Sequence, residues 1–317
     1  MNNKIRITKS ALMRLQDGHK KFILEKKAMN LSTDTIIYYN LCYRIFSEFV
    51  GENALCKDID YDTIIEYILH LKEHTAISDT TQNTYLRGLR AILYNLMEKG
   101  YIEPFKIKMV KAEKKLKETY TDEELSRLLE KPDLKTESFA SYRTWVIICY
   151  LLGTGNRLRT LCNVKIGDID FENKEIKLKK VKNKKQYTIP LSRTLEKVLR
   201  EYLGYRQGEA SDYLFCNQYG EQLSDDGLIS SVVRFNNSRG VTKTSIHLFR
   251  HTFAKKWILN NGDIFRLQQI LGHSSLDIVK EYVNIYGRDL QNDFEVFNPL
   301  DNMNTNIKKE KIMMKRR

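Results

Sequence analysis

The chain has 317 residues, more than one hydrophobic core usually serves, so two domains are expected. Lysine and arginine number 53 against 40 acidic residues, and the net charge of +13 favours a polyanion, nucleic acid above all, over a small acidic substrate, although a basic chain also gains solubility. Cys42, Cys56, Cys149, Cys162 and Cys216 are widely spaced without a CxxC pair, which argues against a zinc ribbon or a disulfide framework and for reduced, mostly buried thiols in a cytoplasmic protein.

MNNKIRITKS lacks the apolar core of a signal peptide, and the densest apolar run, Trp145 to Leu152, is far shorter than the ~20 residues a membrane span needs. From residue 12 to 104 the pattern is helical. Leu86, Leu89, Ile92, Leu93 and Leu96 fall on one stripe, and Gly100 supplies the helix stop. The polar side of that helix carries Arg87 and Arg90, which suit phosphate contact and equally a solvated face.

Residues 105–118 contain a lysine-rich stretch that includes Lys114 and Lys115 and reads as a basic linker. Thr121 and Glu124 then make a capping box, the start of a second domain expected over 119–290. Within it, IDFENKEIKLKKVKNKKQYTIPL alternates apolar residues with lysine around polar turns, the pattern of a small antiparallel hairpin or meander. Lys180, Lys182 and Lys184 would project from it as positive charge. Helical patterns resume from Ser192 to Tyr286, and 291–317 is a polar basic tail without periodicity.

Chemistry concentrates in an ordered basic set. Arg157 follows the glycines of GTGNRLRTL, which break the preceding helix and leave the arginine at a turn. In SIHLFRHTFA, His247, Arg250 and His251 fall at i, i+3 and i+4, on one helical face. Two histidines at that spacing also suit zinc, but the glutamate of HExxH and a third ligand of clear spacing are missing, so no metal is expected. His273 occupies a loop in ILGHSSLD before a helix that Ser274 or Ser275 can cap. Tyr282 and Tyr286 share the apolar half of that helix, and periodicity alone assigns either to packing as readily as to chemistry.

Together, TGNR, HLFRHTFA, LGHSS and a tyrosine nine residues after His273 resemble the tyrosine recombinases, the phage-integrase and Xer-like family, over nearly the whole chain. The segment Thr81 to Leu93 and the TDEEL junction are similar to the family's core-binding domain and domain boundary. The resemblance implies a mainly α fold, with a helical core-binding domain and a mixed α+β catalytic domain. It implies Tyr282 as nucleophile, leaving a 3′-phosphotyrosyl bond and a free 5′-hydroxyl with no cofactor, metal or ATP. Arg157 and Arg250 would clamp the scissile phosphate, and His247 and His273 would assist proton transfer.

By the same resemblance Lys182 would protonate the leaving oxygen, a role its neighbours Lys180, Lys184 and Lys185 also fit. Arg87, Arg90, Lys114, Lys115, Lys180 and Lys184 would touch double-stranded DNA. Four protomers would act on two duplexes, with accessory DNA-binding proteins as further partners. Thr160 departs from the acidic residue common there, so support for Arg157 has to come from elsewhere. The short leader before Leu12 points to a chain without the arm-binding domain of longer members. A non-catalytic DNA-binding regulator and a topoisomerase-like nicking and resealing enzyme are the rival readings.

Overall fold

The computed structural model describes residues 13–112, 118–179, 186–272, 275–276, 279–280, 282–283 and 298. The chain divides into two compact units, Met1–Lys115 and Leu116–Arg317.

The first unit is built from α1 (Leu15–Ala28), α2 (Thr33–Val50), α3 (Tyr61–His74) and α4 (Asp79–Glu98). Ser32, Asp60 and Ser78 cap the last three through side chains that accept otherwise unpaired first-turn N–H groups. The stripe from Leu86 to Leu96 is buried against Phe22, Phe46 and Tyr67. On α4, Gly88 permits a close crossing with α2, because a Cβ there would collide with Cys42 Sγ. Arg87 is exposed and Arg90 half-buried.

The first part of the lysine-rich stretch packs on this unit. Ile107 is buried with the helices, Asn83 Nδ2 donates to the Val110 carbonyl at 2.8 Å, and Val110 N–H donates to Asn83 Oδ1 at 2.8 Å. A side chain that replaces both backbone partners holds an extended segment down much as a neighbouring strand would.

The second unit opens with α5 (Asp122–Leu129), whose Thr121–Glu124 capping box forms in both directions. It continues through α6 (Phe139–Thr154) and α7 (Leu158–Cys162) into an antiparallel meander of β1 (Ile169–Asp170), β2 (Glu175–Lys179) and β3 (Gln186–Pro190), in the order β1-β2-β3. Then come α8 (Arg193–Arg206), α9 (Asp225–Ser238), α10 (Ile246–Leu259) and α11 (Ile264–Leu271).

Apolar nearly all round, α6 is the axis of this unit, buried through Tyr142, Trp145, Val146, Ile147, Ile148, Tyr150 and Leu151 and packed by α8, α9 and α10. The fold is therefore mainly α with one small antiparallel sheet.

Two local expectations fail. Gly153 does not break α6, which runs to Thr154; Gly155 alone ends it, in the left-handed conformation at φ +63°. The helical pattern read from Ser192 onward is also interrupted between α8 and α9. Gln207 and Gly208 turn the chain at positive φ, Leu214 and Phe215 are buried, and the segment bridges Lys165 to Tyr213 and Cys216 to Gln222. Pairing with the backbone after α7 outweighs local helix propensity there. No described helix is long and apolar enough to cross a membrane.

Candidate active site

The site forms where α6 ends, where α11 ends and along one face of α10. Asn156, 2% exposed, fixes the backbone just before Arg157: its Nδ2 donates to Tyr150 Oη at 2.9 Å and its N–H to Thr154 Oγ1 at 3.3 Å. Arg157 then takes the N-cap position of α7 with its side chain exposed. At Thr160 only the backbone engages the arginine, the Thr160 N–H donating to the Arg157 carbonyl at 3.0 Å. The buried Tyr150–Asn156 pair anchors the backbone that leads into Arg157.

Arg250 is the hub. It is 5% exposed, and its guanidinium donates to the Gly155 carbonyl and to the Leu271 carbonyl, each at 2.8 Å. Both acceptors are last-turn carbonyls that an α-helix leaves open, so one fork ties the ends of α6 and α11 to α10. Gly155 precedes Arg157 by two residues, and Leu271 is followed by Gly272 in the left-handed conformation at φ +62° and then by His273. Arg250 therefore holds the chain segments that lead to two other members of the basic set.

Burial first and the positive charge of Arg157 second bring the pKa of Arg250 down to about 10, against an upward pull from Tyr282 and Tyr187. At neutral pH it stays charged. Two like charges at one spot, one of them removed from water, make a site that an anion with several oxygens would relieve. Tyr187 reaches this spot from β3. It pairs with the buried Leu178 of β2, which turns its side chain inward, where burial raises its pKa and Arg250 and Arg157 lower it again.

Tyr282 is 1% exposed and packs with Ala254, Leu267, Leu271 and Val279. Its phenol is not stranded among them, because Oη lies 2.5 Å from His251 Nδ1. Among the candidates, then, Arg157, Arg250 and Tyr282 share one electrostatic neighbourhood, and His247 is exposed one turn before Arg250 on α10. Lys182, His273, Tyr286, Lys114, Lys115, Lys180 and Lys184 lie outside the described residues. Arg87 and Arg90 belong to the first unit.

The three side chains of α10 differ in what they meet: the Arg250 guanidinium donates to backbone carbonyls, the His251 imidazole contacts the phenol, and His247 is exposed. Sequence reasoning left out Tyr187 and placed His251 on the face of His247 and Arg250 without counting it among the catalytic residues. The strand alternation that buries Leu178 was a signal for Tyr187; nothing local to HLFRHTFA marks which histidine meets the tyrosine.

A profile of the phage integrase family matches residues 118–288, and a profile of the phage integrase SAM-like domain matches 16–115. Among curated proteins, tyrosine recombinase XerD of Staphylococcus haemolyticus is 28% identical over 294 residues, 89% of this chain and 98% of its own. Tyrosine recombinase XerA of Pyrococcus furiosus is 31% identical over 205 residues, 63% of this chain and 69% of its own. Among solved structures, the XerH site-specific recombinase bound to a palindromic difH substrate in a post-cleavage complex is 26% identical with a TM-score of 0.67, covering 87% of this chain and 82% of that one. The Tn1549 transposon integrase in complex with a circular intermediate DNA shares the fold at a TM-score of 0.73 and 20% identity, covering 90% and 98%. With the integrase profile spanning more than half of its residues, the chain belongs to the phage integrase family and is a site-specific tyrosine recombinase.

Proposed function

We propose that the chain cuts and rejoins duplex DNA with Tyr282 as nucleophile, forming a 3′-phosphotyrosyl intermediate and releasing a 5′-hydroxyl. The observation that carries this is the geometry around α10: buried Arg250 ties the ends of α6 and α11 through two 2.8 Å bonds, and the phenol of Tyr282 meets the next residue of the helix, His251, at 2.5 Å. A phosphodiester in transfer spreads negative charge over its non-bridging oxygens, and preorganised cations stabilise that charge as it develops. Arg157 and Arg250 supply those cations, and His247 and His273 donate hydrogen bonds to the same phosphate. Lys182 protonates the leaving 5′-oxygen. The phosphotyrosyl bond conserves the energy of the broken linkage, so rejoining is the reverse attack by a 5′-hydroxyl.

Double-stranded DNA as partner is supported by the complexes solved for XerH and for the Tn1549 integrase. The net charge of +13 fits a phosphate backbone. We place Arg87, Arg90, Lys114, Lys115, Lys180 and Lys184 among the phosphate contacts, and a tetramer on two duplexes as the working assembly.

The test is a nicked suicide duplex built around the sequence that the protein enriches from a random duplex pool, followed by denaturing gels. A covalent adduct that is lost in Tyr282→Phe and retained in Tyr286→Phe is expected. Salt-sensitive binding without an adduct would refute the catalytic reading and leave a DNA-binding regulator. Relaxation of supercoils by a monomer would place the activity with nicking and resealing.

A further inference from the structure

The phenol of Tyr282 has a proton to lose, and its 2.5 Å contact is with His251 Nδ1, a residue outside the six that the motifs single out. Several features make this contact more than packing. The two rings are tilted, with centroids 5.7 Å apart and planes at 48°, so they meet through the polar atoms and not as a stack. The pocket around the phenol is apolar, formed by Ala254, Leu267, Leu271 and Val279, so the phenolic proton is held away from bulk water. His251 itself is half-buried and immediately follows Arg250, whose two carbonyl bonds lock that turn of α10.

We propose that His251 is the catalytic base of strand cleavage, accepting the Tyr282 proton at Nδ1. The inference rests on Tyr282 being the nucleophile. With the imidazole neutral and protonated on Nε2, the phenol donates to Nδ1 in the resting enzyme. As Oη attacks phosphorus, the O–H bond breaks and its proton passes to Nδ1, the new P–O bond forms to tyrosine, and the bond to the 5′-oxygen breaks. The leaving oxygen takes its proton from the acid of the site, proposed as Lys182. On rejoining, the imidazolium returns the proton to the departing phenolate. Charge balances, because the positive charge gained by His251 matches that lost by the acid. An imidazole is suited to both directions because its pKa lies close to neutral pH.

This role separates the two histidines of α10. His247, exposed one turn earlier, is left to the phosphate, while His251 serves the tyrosine.

The experiment measures the single-turnover rate of adduct formation on the nicked duplex with wild type and His251→Asn, whose amide oxygen keeps an acceptor near Nδ1 but takes no proton. The expected loss is about 10²–10⁴-fold, the usual contribution of a positioned base, with DNA affinity unchanged. Replacing Tyr282 by a fluorinated tyrosine, whose phenol is more acidic, should restore most of the rate in His251→Asn. A duplex with a 5′-bridging sulfur, which leaves without protonation, should not. A merely structural role for His251 predicts no selective rescue by the more acidic phenol. Adduct formation by His251→Asn at the wild-type rate, or a loss that fluorination leaves untouched, overturns the assignment of the base. Absence of an adduct in the wild type, or an adduct that persists in Tyr282→Phe, overturns the nucleophile reading instead, and the base with it.

Discussion

Gly155→Ala probes the joint between α6 and the arginine that follows it. The residue sits at φ +63°, a conformation that costs an L-residue about 1–2 kcal/mol. An added Cβ would also lie 2.6 Å from Phe253 Cδ1 and 2.7 Å from Leu271 Cδ2, and overpacking of that kind costs about 1–3 kcal/mol. The combined loss is about 2–5 kcal/mol.

Gly153→Ala is the internal control, because that residue lies inside α6 and the nearest atom to its Cβ would be Leu195 Cδ2, at 3.1 Å, the end of a flexible side chain. There the helix-propensity gain of alanine, about 1 kcal/mol, offsets the tighter contact and leaves stability nearly unchanged. Both tryptophans, Trp145 and Trp257, belong to the second unit, so urea unfolding followed by tryptophan fluorescence reports on that unit. With a slope of about 2 kcal/mol per molar urea, the Gly155→Ala midpoint should fall by about 1–2.5 M while the Gly153→Ala midpoint stays close to wild type. Adduct formation should fall with Gly155→Ala, because the Gly155 carbonyl accepts from Arg250 and Arg157 follows two residues later. Equal midpoints for the two variants would refute the reasoning.

Asn83→Ala removes both bonds to the Val110 backbone, and leaving those groups to water or unpaired should cost about 1–3 kcal/mol locally. Limited trypsin digestion should then cut faster after Lys108 and Lys111; an unchanged cleavage rate would mean that Ile107 and its neighbours hold the segment by themselves. Burial pushes Cys42 and Cys56 up to about 11, and Cys149 and Cys162 up to about 12. Their folded values lie above the unfolded thiol value, so this stability is complete below about pH 8.5–9 and is lost as pH rises through the folded values. Urea midpoints should therefore be flat from pH 7 to about 8.5 and fall between about pH 9 and 12, with buried Tyr67, Tyr120 and Tyr150 adding to the fall at its alkaline end. A midpoint independent of pH across that range would show that these side chains ionise without unfolding.

Local periodicity and capping chemistry determine what the sequence makes legible. The buried stripe of α4, the Thr121–Glu124 box of α5 and the alternation of β2 and β3 all follow from interactions within a few residues, which is why the mainly α class with one small antiparallel meander can be read from the chain. The order of Arg157, His247, Arg250, His273 and Tyr282 is likewise a property of the sequence.

Tertiary structure decides what each side chain meets. Two glycines in GTGNR look equivalent as helix breakers, but Leu195 lies beside one, while Phe253 and Leu271 crowd the other where the chain turns left-handed. The stretch between α8 and α9 has helix-compatible residues, yet its backbone pairs with that around Lys165. Arg250 selects carbonyls 95 and 21 residues away, acceptors that exist for it only once α6 and α11 end beside α10. The division of labour on α10 has the same origin. A helical face fixes that His247, Arg250 and His251 are neighbours, but it cannot fix that the phenol of Tyr282, 31 residues on, arrives at His251, because that contact is made between residues far apart in sequence.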